Sequence, residues 1–181
     1  MNSFFQVSII SLSILLISVI TGCEQEQQQQ EQQEATITEI PGEWYSLEEA
    51  QILAAEDGKK ILIYAEAVWC PYCKRMKSEV FTLDEVQQVT QAHFYPVKID
   101  IESEDSLAFR GQEMTEMEFS QGMQVTGTPT FIFFDHDGEI IAAQPGFIPA
   151  DMYTEILRYV GTDAYLEQSF EEFAEIDTTG F

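Results

Sequence analysis

Cysteine, histidine and basic residues are scarce in this 181-residue sequence, which has three cysteines, two histidines and eight Lys plus Arg. A small secreted fold stapled by disulfides needs more cysteines, so this fold must rest on a hydrophobic core. The 45% hydrophobic and 12% aromatic content can supply a core for one domain plus accessory segments. Against 32 acidic residues, the few bases argue against nucleic acid as a partner, because phosphate binding needs a basic patch. A well-solvated surface is the ordinary explanation for the net charge of −24, and adaptation to a saline habitat is the alternative.

A hydrophobic run long enough to cross a bilayer comfortably is also lacking. The apolar run Ser8–Ile20 is interrupted only by serines and has the length of a signal peptide. It ends in ITGC, which resembles the lipobox of bacterial lipoproteins and predicts that residues 1–22 are a signal peptide and that Cys23 carries lipid. Residues 1–7 contain no Lys or Arg, which is unusual for such a signal. An ordinary secretory signal and an uncleaved signal anchor are the alternatives.

The segment after Cys23 has almost nothing to bury. Residues 24–34 read EQEQQQQEQQE, a polar low-complexity tract without the apolar positions of a coiled coil. We therefore predict that residues 23–40 comprise the lipidated cysteine and a flexible tether, and that residues 41–175 form the globular domain.

Apolar spacing, caps and turn residues predict alternating helices and strands in that domain. An α/β fold with a mixed central sheet flanked by helices, and with an extra C-terminal helix, is the natural packing of this order. The expected elements are a helix from Ser46 to Gly58, a strand over 60–68, a helix from Pro71, a helix from the Thr82/Glu85 capping box, a strand over 94–101, an acidic surface insertion over 102–114, a helix from Thr115 to Gly122, a hairpin over 128–146 turning at Asp137-Gly138, a helix through Tyr153 and Val160, and a last helix from Thr162 through Phe173.

Cys70 and Cys73 form a C-x-x-C pair in the stretch WCPYC. Covalent c-type haem would need a histidine after the second cysteine, where Lys74 stands. A structural zinc needs four ligands, and His93 and His136 are the soft candidates to complete a set with Cys70 and Cys73. Both histidines are expected at ordinary surface positions, so zinc fits poorly.

A redox-active pair fits the predicted placement better. Cys70 is expected at a helix start, where unpaired N–H groups and the helix dipole favour a thiolate. Cys73 lies one turn later, where it can attack a mixed disulfide formed at Cys70. Lys74, Arg75 and Lys77 add positive charge nearby. An inert disulfide is the alternative, but so short a loop closes little chain entropy.

The sequence from about residue 44 to 161 resembles the thioredoxin fold. WCPYC follows a strand and starts a helix, and GTPT later leads into a β-hairpin and a further helix. The resemblance implies that Pro129 is a cis-proline facing the disulfide, that Thr128 offers its backbone to an extended substrate, and that Gly146 lies in the same groove. Within this family, CPYCKRM and EVF make the sequence most similar to the periplasmic SoxW-like thioredoxins.

Two positions, Tyr64 and Thr128, differ from the residues found there in cytosolic thioredoxins and in glutaredoxins, respectively. Cytosolic thioredoxins carry a buried aspartate six residues before the first cysteine, where this sequence has Tyr64. Glu66 is therefore a candidate proton relay for Cys73, with a solvent-facing glutamate at a strand end as the alternative. CPYC is also the glutaredoxin motif, but the valine that precedes the cis-proline in glutathione sites is replaced by Thr128.

These patterns predict a thiol–disulfide oxidoreductase in the bacterial cell envelope, anchored by lipid on the periplasmic side. It would reduce protein disulfides as a monomer, use no metal or organic cofactor, and receive electrons from a membrane dithiol donor. An oxidase that donates its disulfide and a non-catalytic thioredoxin-like binding module are the alternatives. The candidate residues are Cys70 and Cys73 for catalysis, Trp69, Pro71, Tyr72, Thr128 and Pro129 for substrate contact, Glu66 for proton relay, and Cys23 for lipidation.

Overall fold

The structure, a computed structural model, describes residues 44–179. The predicted signal peptide, Cys23 and the tether over 23–40 lie outside the described residues. The elements in chain order are α1 (Leu47–Asp57), β1 (Lys60–Glu66), α2 (Pro71–Arg75, continued by a π-helical turn over Met76–Val80), α3 (Asp84–His93), β2 (Phe94–Asp100), β3 (Ser106–Phe109), β4 (Gln112–Thr115), α4 (Glu116–Gly122), β5 (Thr130–Phe134), β6 (Ile140–Pro145), α5 (Ala150–Gly161), a 3₁₀ turn (Ala164–Leu166) and α6 (Phe170–Thr179).

The mixed central sheet expected from the sequence is present. Its strand order is β2-β1-β5-β6, in which β1 pairs parallel with β2 and antiparallel with β5, while β5 pairs antiparallel with β6. Every residue of β1 and β5 is buried, as the continuous apolar runs predict for strands covered on both faces. The central pair β1 and β5 therefore forms a rigid support for the segments that leave its ends.

Buried side chains form two clusters. One contains Leu62, Tyr64, Phe131 and Phe133 together with both cysteines of the C-x-x-C pair. The other contains Ile61, Ile63 and α1 residues such as Leu47. Because successive strand residues point to opposite faces, the alternation from 61 to 64 sends β1 side chains into the two clusters in turn. Both cysteines of the C-x-x-C pair therefore belong to one face of the core.

Several local signals act as the sequence predicts. Ser46 caps α1 by accepting the Glu49 N–H, and Gly58 ends that helix with φ 81°. A complete capping box joins Thr115 and Glu118 at the start of α4. The β5–β6 hairpin turns at Gly138, whose φ of 79° suits a residue without a side chain.

The acidic surface insertion expected over 102–114 is wrong in part, because β3 and β4 form a separate two-stranded sheet there. The side chain of Gln51 on α1 holds this hairpin by donating to the Ala108 carbonyl and accepting the Arg110 N–H, both at 2.9 Å. Phe109 is buried against Phe119 and Phe134. The hairpin therefore packs on the domain instead of projecting from it.

Two predicted helix starts are wrong. Helix α3 begins after Leu83 without a side-chain cap, because the Thr82 hydroxyl donates to the Ser78 carbonyl of the preceding helix. Thr162 ends α5, and its hydroxyl donates to the Arg158 carbonyl. The last helix starts later, where Ser169 and Glu172 bond to each other's backbone N–H groups.

Candidate active site

The first cysteine sits where β1 gives way to α2. Cys70 is the N-cap of α2, and Pro71 occupies the first turn, where a missing N–H costs nothing. The Cys70 sulfur accepts the Cys73 N–H at 3.0 Å and is joined to the Cys73 sulfur as a disulfide. A thiolate at Cys70 would receive the same N–H bond and the positive end of the helix dipole. The structure thus places Cys70 where a thiolate is stabilised.

Cys73 lies on the inward face of the same helix. Cys73, Met76 and Val80 are all buried, as their spacing predicts. Cys70 is equally buried in the disulfide form, since each cysteine exposes 1% of its surface. Access to the sulfur atoms therefore depends on the side chains around the motif.

Two exposed aromatic side chains flank the cysteines. Trp69 is 62% exposed, and its indole N–H donates to Glu102 at 2.9 Å. Tyr72 is 53% exposed and packs beside Phe147, with 6.4 Å between ring centroids. The Arg75 guanidinium lies over the same Phe147 ring, 4.1 Å from its centroid. These contacts tie α2 to the segment after β6.

Pro129 lies at the same end of the sheet as the cysteine motif. The Thr128–Pro129 peptide is cis, as the resemblance to thioredoxins implies. Thr130 pairs with Ala65 near the end of β1, and the chain continues from that end into the cysteine motif. The Gly146 N–H donates to the Pro129 carbonyl at 2.8 Å, and its φ of 95° favours glycine. This contact brings together the two predicted groove positions, while their contact with substrate stays a prediction.

A buried polar network lies under α2. Glu66 is buried and forms an ion pair with Lys77, whose Nζ lies 2.8 Å and 2.7 Å from the two carboxylate oxygens. The alternative of a solvent-facing glutamate is therefore wrong, while the relay role stays a prediction. The Tyr64 hydroxyl donates to the Cys73 carbonyl at 3.1 Å. Burial, and next the negative charge of Glu66, raise the pKa of Tyr64, so its hydroxyl stays protonated.

The positive charges near the motif are mostly paired. Arg75 bonds both oxygens of Glu79, at 2.9 Å each. The pKa of Glu79 is lowered chiefly by that hydrogen bond. Lys74 is exposed and makes no ion pair within residues 44–179. The three bases therefore differ in their effect on the cysteines, which their sequence positions alone do not reveal.

Neither predicted surface histidine joins the cysteines. His93 packs half-buried against Gly161, and burial lowers its pKa. His136 is exposed in the β5–β6 turn. No group of three or more His, Cys, Asp or Glu side chains is placed to hold a metal ion in the part of the chain that the structure describes. Within the same residues, no helix is long and apolar enough to cross a membrane.

Glu102 and Phe147 contact the candidate residues Trp69 and Tyr72, and neither was predicted from the sequence. Glu102 lies in the acidic stretch that carried no specific expectation, and its bond to Trp69 spans 33 residues of sequence. Phe147 directly follows Gly146, so its position after a predicted groove glycine was the available signal.

Comparison with known proteins agrees with this geometry. A family profile described as "Thioredoxin-like domain" matches residues 47–161. The chain is 27% identical over 108 residues to the disulfide bond reductase DsbH of Chlamydia pneumoniae, a match that covers 59% of this chain and 64% of DsbH. It is 30% identical over 111 residues to the thiol:disulfide interchange protein DsbD of Actinobacillus pleuropneumoniae serotype 5b, covering 60% of this chain and 18% of DsbD.

The fold is also found among solved structures. A thioredoxin-fold protein from Helicobacter pylori superposes with a TM-score of 0.62 at 21% identity, covering 67% of this chain and 85% of that one. This likeness supports the fold, and the sequence matches add relatives that are disulfide oxidoreductases. With its Cys70–Cys73 pair at the start of α2, the chain belongs to the thioredoxin-like family.

Proposed function

We propose that this protein is an extracytoplasmic thiol–disulfide oxidoreductase that reduces disulfides in other proteins. The observation that carries the proposal is the Cys70 sulfur at the N-cap of α2, bonded to the Cys73 N–H and joined to the Cys73 sulfur. The relatives DsbH, a disulfide bond reductase, and DsbD, a thiol:disulfide interchange protein, support the same chemistry.

The proposed reaction is a pair of thiol–disulfide exchanges. The Cys70 thiolate attacks one sulfur of a substrate disulfide, forms a mixed disulfide and releases the other substrate sulfur as a thiolate. The Cys73 thiolate then attacks the Cys70 sulfur, so that the Cys70–Cys73 bond forms and the second substrate thiolate leaves. Two electrons pass from the protein dithiol to the substrate, and the protein ends oxidised as in this structure.

The substrate would lie across the exposed rim of the motif. Trp69, Pro71 and Tyr72 are exposed beside the cysteines, and their apolar surface can cover an extended segment next to the attacked disulfide. Thr128 and Pro129 would border the other side, with the Thr128 backbone bonding to the segment. Glu66, the predicted proton relay, lies in an ion pair with Lys77 at the base of this site, and the electrostatic role of that pair is the alternative to proton transfer.

A reductase in an oxidising compartment needs electrons after every turnover. We propose a membrane dithiol as the donor and a monomer as the working form. The likeness of CPYCKRM to SoxW-like thioredoxins supports the periplasmic side. An oxidase that donates the Cys70–Cys73 bond is the second candidate, because the structure holds that bond. A non-catalytic module is disfavoured, since both cysteines are present and joined.

Replacing the resolving thiol tests the mechanism and identifies the substrates. In Cys73→Ser, the first exchange still occurs but the second has no nucleophile, so mixed disulfides at Cys70 accumulate. We expect non-reducing gels of envelope extracts to show several reducible adducts, which mass spectrometry of the captured proteins would identify. The matched control is Cys70→Ser/Cys73→Ser, which should show none. Adducts of equal abundance in that control would contradict the mechanism.

We propose that lipid on Cys23 anchors the domain through the tether over 23–40. Several acyl chains bind a membrane stably, since each buried methylene contributes about 0.8 kcal/mol. The support comes from the ITGC motif and the polar segment after it.

Changing Cys23 should release the protein from the membrane fraction. Expressed in a bacterium with its own N-terminus, the wild-type chain should enter the detergent phase on phase partitioning, whereas Cys23→Ser should show altered processing and lose that partition. Cys70→Ser serves as the control, because it also removes one thiol but leaves the lipobox intact. A wild-type chain in the aqueous phase with a free Cys23 thiol would contradict lipid anchoring.

A further inference from the structure

The ion pair between Glu66 and Lys77 joins strand β1 to helix α2 beneath the cysteine motif. Glu66 ends β1, while Lys77 lies on α2, one helical turn after Cys73. The side chains expose 11% and 23% of their surface. Charges this far from water interact more strongly than surface charges. The charge of Glu66 therefore acts on the buried side of α2.

Tyr64 connects this pair to the resolving cysteine. Its hydroxyl donates to the Cys73 carbonyl and also interacts with the Glu66 carboxylate. Tyr64 itself is held by Phe81 and Phe131, with ring centroids 5.0 Å and 5.5 Å away. The path from the Glu66 charge to the Cys73 backbone is thus short and rigid.

Other titratable groups lie on the elements around Glu66. From β2, Asp100 lies opposite Glu66 in the parallel register and Lys98 lies opposite Tyr64, and the Asp100 carboxylate accepts the Glu102 N–H. From β1, Tyr64 stays neutral. From α2, Cys73 becomes charged only when its disulfide is reduced, and Lys77 is the cation whose Nζ contacts both oxygens of Glu66.

We propose that Lys77 is a positioning residue for the resolution step, which pairs with Glu66 and so sets the pH at which Cys73 becomes a thiolate. The proposal rests on the proposed dithiol chemistry. With the pair intact, the local charge is balanced and Cys73 ionises without opposition from Glu66. Without Lys77, the unpaired carboxylate opposes a second negative charge nearby, and the pKa of Cys73 rises.

The two exchanges can be timed separately with dithiobis(nitrobenzoate), an aromatic disulfide that releases a coloured thiolate. Attack by Cys70 releases one nitrothiophenolate and leaves the other bonded to Cys70. Attack by Cys73 on the Cys70 sulfur then forms the Cys70–Cys73 bond and releases the second. The rate of the second release against pH reports the ionisation of Cys73 and does not require a physiological substrate.

In Lys77→Met, we expect the pH profile of the second release to move up by about one unit, which slows it about tenfold at pH values below the Cys73 pKa. Lys77→Arg should keep the wild-type profile. Glu66→Gln/Lys77→Met removes both charges and should return the second release to within about twofold of wild type. Lys59→Met removes a cation just before β1, at the end of that strand away from the cysteine motif, and is the control, with an unchanged second release.

Glu66→Gln keeps the test decisive should Lys77→Met fail to fold, because it leaves the cation in place. The second release should then shift to lower pH, since Lys77 favours the Cys73 thiolate. A slower second release in Glu66→Gln, or a double variant as slow as Lys77→Met, would overturn the proposal and favour proton transfer to Glu66. An unshifted profile in folded Lys77→Met would also overturn it. A protein that fails to reduce protein disulfides but shows these shifts would instead contradict only the proposed function.

Discussion

Cys70→Ser should abolish the reduction of protein disulfides by the purified domain, with a loss of at least about a thousandfold. The hydroxyl of serine is not ionised near neutral pH, and a disulfide sulfur is attacked by a thiolate. Cys70 also occupies the N-cap of α2, where its sulfur accepts the Cys73 N–H. No other thiol in the described domain stands at a helix start.

The measurement is the reduction of insulin in the presence of dithiothreitol, followed by the turbidity of the released chain. Ser78→Ala is a matched control, because it changes one exposed side chain of the same helix and leaves both thiols in place. The reduced wild-type protein should in addition be alkylated at Cys70 far faster than at Cys73 at pH 7. Retained activity in Cys70→Ser, or equal alkylation of the two thiols, would contradict the assignment of the nucleophile.

The features predicted well from the sequence are those that neighbouring residues determine. The caps at Ser46 and Thr115, and the glycine at the β5–β6 turn, act through bonds within a few residues. The continuous apolar runs of β1 and β5 report burial on both faces directly. The order of these elements was therefore enough to predict the mixed sheet and the position of the cysteine pair.

The missed features depend on residues that are distant in sequence. Strands β3 and β4 have four residues each, too few to show a clear alternation of apolar and polar positions, and a side chain of α1 holds them in place. The Thr82 hydroxyl donates to the Ser78 carbonyl of the preceding turn. The local sequence pattern does not distinguish this bond from a cap of the next helix. The pairing of Glu66 with Lys77 arises only when α2 packs on β1. Sequence reasoning named Glu66 but could not foresee its partner.

The second large effect concerns the direction of electron flow. Two neutral residues, Pro71 and Tyr72, separate the cysteines, so no cation between them stabilises the reduced thiolate. Two of the three nearby bases are engaged with Glu79 and Glu66, which reduces their effect on the Cys70 thiolate. The start of α2 still favours that thiolate. We therefore expect a potential in the span from glutaredoxins to thioredoxin, about −200 to −270 mV.

This expectation separates the reductase from the oxidase. A strong oxidant has a potential near about −120 mV, because its reduced form is strongly stabilised. Since about 30 mV is a tenfold change in the equilibrium constant for two electrons, the two possibilities differ by more than about a hundredfold. A protein with a potential of about −200 to −270 mV can pass its electrons to substrate disulfides that have a higher potential.

The most direct measurement is the equilibrium of the purified domain with reduced and oxidised glutathione, scored as the fraction of Cys70–Cys73 disulfide by thiol-specific mass labelling. The proposed reductase predicts a midpoint between about −200 and −270 mV. A midpoint near about −120 mV would contradict the proposed reductase and assign this C-x-x-C pair to an oxidase.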